Sequence, residues 1–200
     1  MSHASVGYAS GFRDQGFESH ASFRSLMDAF AHPALARPLV PRAPAWGSMS
    51  AEVVTLLLTL CDQDTPIWLD DPFACDENLR ANIAFHCASP IVSDAGAASF
   101  AFVAEADRIG DLARFAQGEP DFPDRSTTVI VQAQGLQPGP SLFEGPGIRS
   151  MRGFGFANAE IDFAAAWRSN RRSFPMGVDL VVVSEGKVAA LPRSLRIVEA

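Results

Sequence analysis

The 200-residue chain reads as one α/β domain, on three observations. Val178, Leu180, Val181, Val182 and Val183 form a near-continuous apolar run rich in β-branched residues, the pattern of a strand covered on both faces and therefore central to a sheet. Thr127 to Ala133 carries the same β-branched content and reads as a second interior strand. Between and before these runs lie segments of helical periodicity, clearest at Ser19 to His32 and Val53 to Cys61. A chain of this length buries roughly 70% of its unfolded surface without disulfides or metals to staple it. One domain over residues 17–200 is therefore expected, after a poorly ordered start over residues 1–16 that is rich in Ser, Gly and Ala.

The first helix is predicted from Phe23, Leu26, Met27 and Phe30, which fall at i, i+3, i+4 and i+7 on one narrow face before Pro33 stops it. Pro38, Pro41, Pro44 and Gly47 make the next segment a loop, with room for one short edge strand around Leu39 and Val40. Ser50 caps the second helix. Val53, Val54, Leu56, Leu57, Leu58, Leu60 and Cys61 cover an arc of roughly 200° around it. That is too wide for one interface, so the helix either lies between the sheet and another helix or contributes to a subunit contact. Asp62 and Asp64 follow at its C-terminus, where the macrodipole disfavours anions. Asp64, next to Thr65-Pro66, is expected to accept a turn hydrogen bond, and two carboxylates without a nearby histidine make a weak ligand set for a transition metal.

Ile67 to Leu69 is a strand, and Glu77 to Cys87 a third helix with Leu79, Ile83 and His86 on one face. His86 is expected to be a hydrogen-bonded core residue, and Cys87 points about 100° away around the helix, so the two make no Cys-His pair. Short strands are expected at Ile91-Val92 and Ser99 to Ala104, a short helix at Ile109 to Gln117, and a loop at Pro120 to Asp124. Pro138-Gly139-Pro140 turns the chain into Ser141 to Glu144, which runs into Gly145-Pro146-Gly147. Proline denies that turn one backbone donor, so it is a strand end rather than a phosphate-cradling loop. Asp162 to Asn170 is helical and pairs Phe163 with Trp167, while Arg168, Arg171 and Arg172 complement the macrodipole at its end. The β-branched run then turns at Glu185-Gly186-Lys187 and returns as Val188 to Leu191, a hairpin.

With 16 basic against 23 acidic residues the net charge is -7, which opposes attraction to nucleic acid or anionic lipid, and neither is an expected partner. Three widely spaced cysteines, Cys61, Cys75 and Cys87, suit buried thiols in a reducing cytoplasm. The start lacks signal-peptide features and the longest apolar run is far short of ~20 residues, so a soluble cytoplasmic protein is expected. Lys187 is the only lysine. No nucleophile with a base, no metal cluster and no dinucleotide fingerprint stands at motif spacing, so the residues alone stop at an α/β domain.

Phe174-Pro175-Met176-Gly177-Val178-Asp179, followed by Leu191-Pro192-Arg193-Ser194, resembles the C-terminal signature of the PhnH family, subunits of the carbon–phosphorus lyase machinery for phosphonates. The resemblance extends, in order, to Phe23 through Met27, Leu57 through Leu69, and Gly145 through Ile148, and covers most of the chain from about Phe17. Relatives usually place Gly after the proline that ends the first helix, where this chain has Ala34. The resemblance implies a three-layer α/β/α domain with a mixed β-sheet, similar to the pyridoxal-phosphate (PLP) dependent transferase fold but without PLP. A lone lysine in a hairpin turn is badly placed to hold that cofactor as a Schiff base. It also implies PhnG, PhnI and PhnJ type partners, and a homodimer when the chain is alone. In that assembly PhnI, supported by PhnG, PhnH and PhnL, replaces the adenine of ATP with a phosphonate to give a ribose 1-phosphonate 5-triphosphate. A non-catalytic subunit needing no cofactor or metal is the first expectation. The alternative is a subunit whose Gly145, Gly147, Arg149 and Arg193 contact phosphate or nucleotide directly, or an independent small-molecule transferase, since arginine suits phosphate.

Overall fold

A computed structural model describes residues 8–158 and 160–198; the expectation for the first seven residues lies outside them. The chain runs through α1 (Gln15–Ala31), β1 (Arg37–Pro38), α2 (Ala51–Leu60), β2 (Ile67–Leu69), α3 (Asp71–Ala74), α4 (Glu77–His86), β3 (Phe100–Val103), β4 (Thr128–Gln132), β5 (Leu136–Glu144), β6 (Arg152–Phe156), α5 (Phe163–Arg172), β7 (Asp179–Ser184), β8 (Lys187–Leu191) and β9 (Arg196–Val198). Six strands form a mixed sheet in the order β1-β8-β7-β4-β3-β2. In it β2, β3, β4 and β7 are parallel and the β7-β8 hairpin and β1 are antiparallel.

The continuous apolar pattern of β7 has a direct cause in the period of two along a strand. Val181 and Val183 enter a core with Leu26 and Ala29 of α1, Val53 to Leu58 of α2, and Leu79 and Ile83 of α4. Leu180 and Val182 enter a second core on the opposite face, with Phe163 and Trp167 of α5 and with Phe143, Phe154 and Phe156. β3 and β4 divide their side chains in the same way, Phe102 and Ile130 toward the first core, Val103 and Val129 toward the second.

The face opposite α1, α2 and α4 is not covered by helix alone. A second, antiparallel sheet in the order β6-β5-β9 shares it with α5. Pro138-Gly139-Pro140 lies inside β5 rather than at a turn, at an irregularity between Gln137 and Ser141. At Gly139 the facing backbone approaches so closely that a Cβ would meet the Phe154 carbonyl oxygen at 2.5 Å and Gly155 Cα at 2.6 Å. Strands built on such close approach use glycine and lose the alternation that marks a strand in sequence.

The wide apolar arc of α2 is used within the chain: Val53, Val54, Leu56 and Leu57 are completely buried between α1 and strands β4 and β7. Of the two readings open to that helix, the structure takes the first. Helix α1 begins at Gln15, where Asp14 accepts from Phe17 N, and its buried side is Ser22, Leu26 and Ala29. Phe23 and Met27 are 45% and 48% exposed, because α1 must face both α2 and β8, which turns its inner side away from them.

Smaller corrections have local causes. The edge strand is Arg37–Pro38, and the next residue, Leu39, donates its N–H to Gly186 O at 2.8 Å. Ile91 makes only a single bridge to Ile67. The helix expected at Ile109 to Gln117 is two 3-10 turns, Ala106–Arg108 and Leu112–Arg114, separated by Gly110 at φ +60°. The turn acceptor before β2 is Asp62, not Asp64: it takes bonds from Asp64 N at 3.0 Å and the Thr65 hydroxyl at 2.6 Å. His86 Nε2 lies 2.8 Å from Ala9 O and its ring stacks on Trp46, a hydrogen-bonded packing residue.

Candidate functional site

The Gly145-Pro146-Gly147 turn ends β5 and is held against two other parts of the chain. Gly145 has φ +146° and Gly147 φ +82°, both in the region that favours glycine. A Cβ at Gly145 would lie 2.9 Å from Leu195 Cδ2, and one at Gly147 would lie 2.7 Å from Pro33 Cδ and 3.0 Å from Ala31 O. Ile148 N closes the turn on Gly145 O at 3.1 Å. The glycines therefore let the turn wedge between the end of α1 and the segment that leads to β9.

Arg193 follows the β7-β8 hairpin, and its donors are taken within the chain. Its backbone N–H donates to Asp179 Oδ1 at 2.7 Å, Nε donates to the same oxygen at 3.1 Å, and Nη2 pairs with Asp179 Oδ2. Nη1 donates to Pro123 O. The two side chains are only 15% and 17% exposed, a planar fork on a carboxylate that suits arginine and not lysine. This explains the one charge in the β7 run: Asp179 opens the strand and anchors the turn beyond its partner. Arg149, in contrast, is exposed and has no ion-pair or side-chain hydrogen-bond partner among the described residues. The structure thus seats Gly145 against Ser194 and Leu195, beside Arg193 in sequence, while the Arg193 guanidinium is directed to Asp179 and Pro123.

A polar cluster that sequence reasoning missed sits at the C-terminal ends of β2 and β3. Asp70, 5% exposed, caps α3 through Asp71 N and accepts Nε and Nη2 of Arg108 at 2.6 and 3.1 Å. The hydrogen bond with Asp70 raises the Arg108 pKa. Arg114 lies over the rings of Trp68 and Phe115, 4.8 Å from each centroid, and burial lowers its pKa. The Asp-Asp-Pro start of α3 was a local signal for the cap; nothing local tied it to Arg108, 38 residues on.

Of the three cysteines expected to be buried, Cys61 is buried, Cys87 half-buried and Cys75 exposed at the end of α3; Cys61 and Cys87 are not poised as nucleophiles. Burial pushes the Cys61 thiol well above its usual value and raises Cys87 as well, which keeps both protonated. Among the described residues no group of three or more His, Cys, Asp or Glu side chains is placed to hold a metal ion, and no helix is long and apolar enough to cross a membrane.

Comparison with known proteins gives a match along almost the whole chain. The family described as bacterial phosphonate metabolism protein (PhnH) matches residues 10–198. The alpha-D-ribose 1-methylphosphonate 5-triphosphate synthase subunit PhnH of Rhizobium meliloti (strain 1021) is 34% identical over 191 residues, 95% of this chain and 95% of its own. A protein of Stutzerimonas stutzeri provisionally assigned as the C-P lyase subunit protein HtxG is 28% identical over 187 residues, 92% of this chain and 87% of its own.

Proposed function

Because the chain belongs to the PhnH family of bacterial phosphonate metabolism proteins, we propose that it is a subunit of the complex that places a phosphonate on the ribose C1 of ATP with loss of adenine. The observation that carries this reading is the end-to-end match to a relative named as such a subunit. Its role is to complete the assembly rather than to supply a reacting group. The engagement of Arg193 by Asp179 and the packing of the Gly145 to Gly147 turn inside the chain support that role.

The partners are PhnG, PhnI and PhnJ type subunits in the cytoplasm, and the architecture is read as the three-layer relative of the PLP-dependent transferases, working without that cofactor. Alone, the chain is read as a homodimer. The α2 arc is spent internally, so the apolar surface for a second copy is the α1 stripe of Phe23 and Met27, used twice in an isologous contact. Phe23→Ser with Met27→Ser then yields monomer by light scattering where the parent is dimer; a parent that is monomeric at micromolar concentration removes the homodimer.

A second reading is favoured by one observation, the exposed guanidinium of Arg149 near the Gly147 turn, without a partner among the described residues, which suits a phosphate or a partner carboxylate. The deciding assay is adenine release from ATP plus methylphosphonate by reconstituted complexes of verified subunit content, with the chain alone as a control expected to be inactive. Arg149→Ala and Arg193→Ala are expected to alter turnover only as far as they weaken assembly. A fall of about a hundredfold in an intact complex, about 2.7 kcal/mol in the barrier, would overturn the structural role and place this subunit in the active site.

A further inference from the structure

Strand β2 is an edge of the main sheet, and only part of that edge is covered. Successive residues of a strand direct their backbone groups to opposite sides. Pro66 and Asp70 bond toward β3, through Ser99 N to Pro66 O at 2.8 Å and Asp70 N to Phe102 O at 2.9 Å. Ile67 and Leu69 therefore face outward. Ile67 is satisfied by the segment beside it, donating to Pro90 O and accepting from Val92 N, both at 2.8 Å. The chain then bends away at Ser93, and the N–H and C=O of Leu69 have no partner among the described residues.

The Leu69 side chain is buried in the core, so what this residue offers on the outer edge of β2 is its backbone donor and acceptor. They open on a cavity of about 810 Å³ between the β2 edge and α4. Its walls include Trp68, Ile91 and the small side chains Ala81 and Ala84, and charged Glu77 and Arg80 stand among its lining residues. Trp68 is held in place by Arg114 over its ring. A donor and an acceptor on one strand edge, facing apolar walls with room for a chain, match the requirements of strand addition: main-chain bonds for register and small apolar side chains for fit.

We infer that this cavity receives an extended segment of a partner polypeptide, with small or apolar side chains, which bridges to Leu69 and continues the edge that residues 90–92 leave uncovered. The inference rests on the reading of the chain as a subunit of a complex, and names the surface by which it joins. A single bridge gives two hydrogen bonds, so most of the affinity comes from covering Trp68, Ile91 and the alanines of α4.

The test is amide hydrogen exchange on the full chain, alone and in the reconstituted complex with PhnG, PhnI and PhnJ type subunits. Assembly is expected to slow exchange at Leu69 by at least about tenfold while Ile67, already bonded, changes little. Ala84→Arg, at an exposed position on α4, is expected to weaken incorporation at least about tenfold with the melting temperature of the free chain unchanged. If the parent chain does not join the partners, the proposed function fails and takes this inference with it. If it joins but Leu69 exchange is unaltered and Ala84→Arg joins equally well, only the docking site is overturned. Protection of Leu69 on concentrating the chain by itself would make the occupant a second copy and likewise overturn it.

Discussion

Asn170 is the residue whose loss is expected to damage this fold out of proportion to its size. It lies in the last turn of α5, 4% exposed, and its amide clasps one residue of backbone: Nδ2 donates to Val178 O and Oδ1 accepts from Val178 N, both at 2.9 Å. Gly177 leaves room for it, since a Cβ there would stand 2.9 Å from Asn170 Oδ1. The side chain thus acts as a strand partner for Val178, completely buried at the entry to β7. Asn170→Ala leaves a buried N–H and a buried C=O unpaired, at about 1–3 kcal/mol each, or about 4 kcal/mol together. For a chain of this length, 1 kcal/mol corresponds to about 2–4 °C, so the melting temperature falls by about 8–16 °C. Asn170→Asp does not restore it, because an oxygen then faces the Val178 carbonyl. Urea unfolding followed by circular dichroism measures the change, with the midpoint lowered and the slope retained. A loss below about 0.5 kcal/mol for Asn170→Ala would show that the clasp carries no net stability and that the α5-β7 junction is held by packing alone.

Two further outcomes are expected from charges. The Asp28 carboxyl is held below its usual range, foremost by the hydrogen bond from the Arg37 guanidinium, and Asp62 is held low by the Thr65 hydroxyl and Asp64 N–H. Folded pKa values below the unfolded ones mean a contribution fully present above the ordinary carboxylate range and lost as pH falls through the folded values. Asp28→Asn is therefore less stable than the parent near neutrality, and the gap narrows as pH falls below the ordinary carboxylate range; urea midpoints that differ as much in acid as at neutrality would contradict this. Lys187, exposed at the start of β8, is expected to tolerate Ala within about 0.5 kcal/mol. An absorbance band from a lysine imine in the purified protein, abolished by Lys187→Ala, would contradict the cofactor-free reading.

The amino-acid order was legible wherever a single segment's periodicity encodes its own environment. The β-branched runs of β4 and β7 announced interior strands because both their faces are buried, and the cap Ser50 falls where its side chain meets its own helix, at Val53 N. The β7-β8 hairpin was legible for the same reason, its turn lying within the segment. The ordered motifs named the family, and the match over residues 10–198 agrees. Tertiary structure alone decided which partner each element met. β5, interrupted by Pro138-Gly139-Pro140, became one continuous strand through a close backbone approach at Gly139 that no local pattern encodes. The inner face of α1 was set by two neighbours at once, which put Phe23 and Met27 outside. At the candidate site, Arg193 was visible as a cation and Asp179 as an odd charge in an apolar run, but only the folded chain joined them. Local pattern reports how much of a segment is covered, whereas the identity of what covers it depends on residues far away in sequence, brought close only by folding.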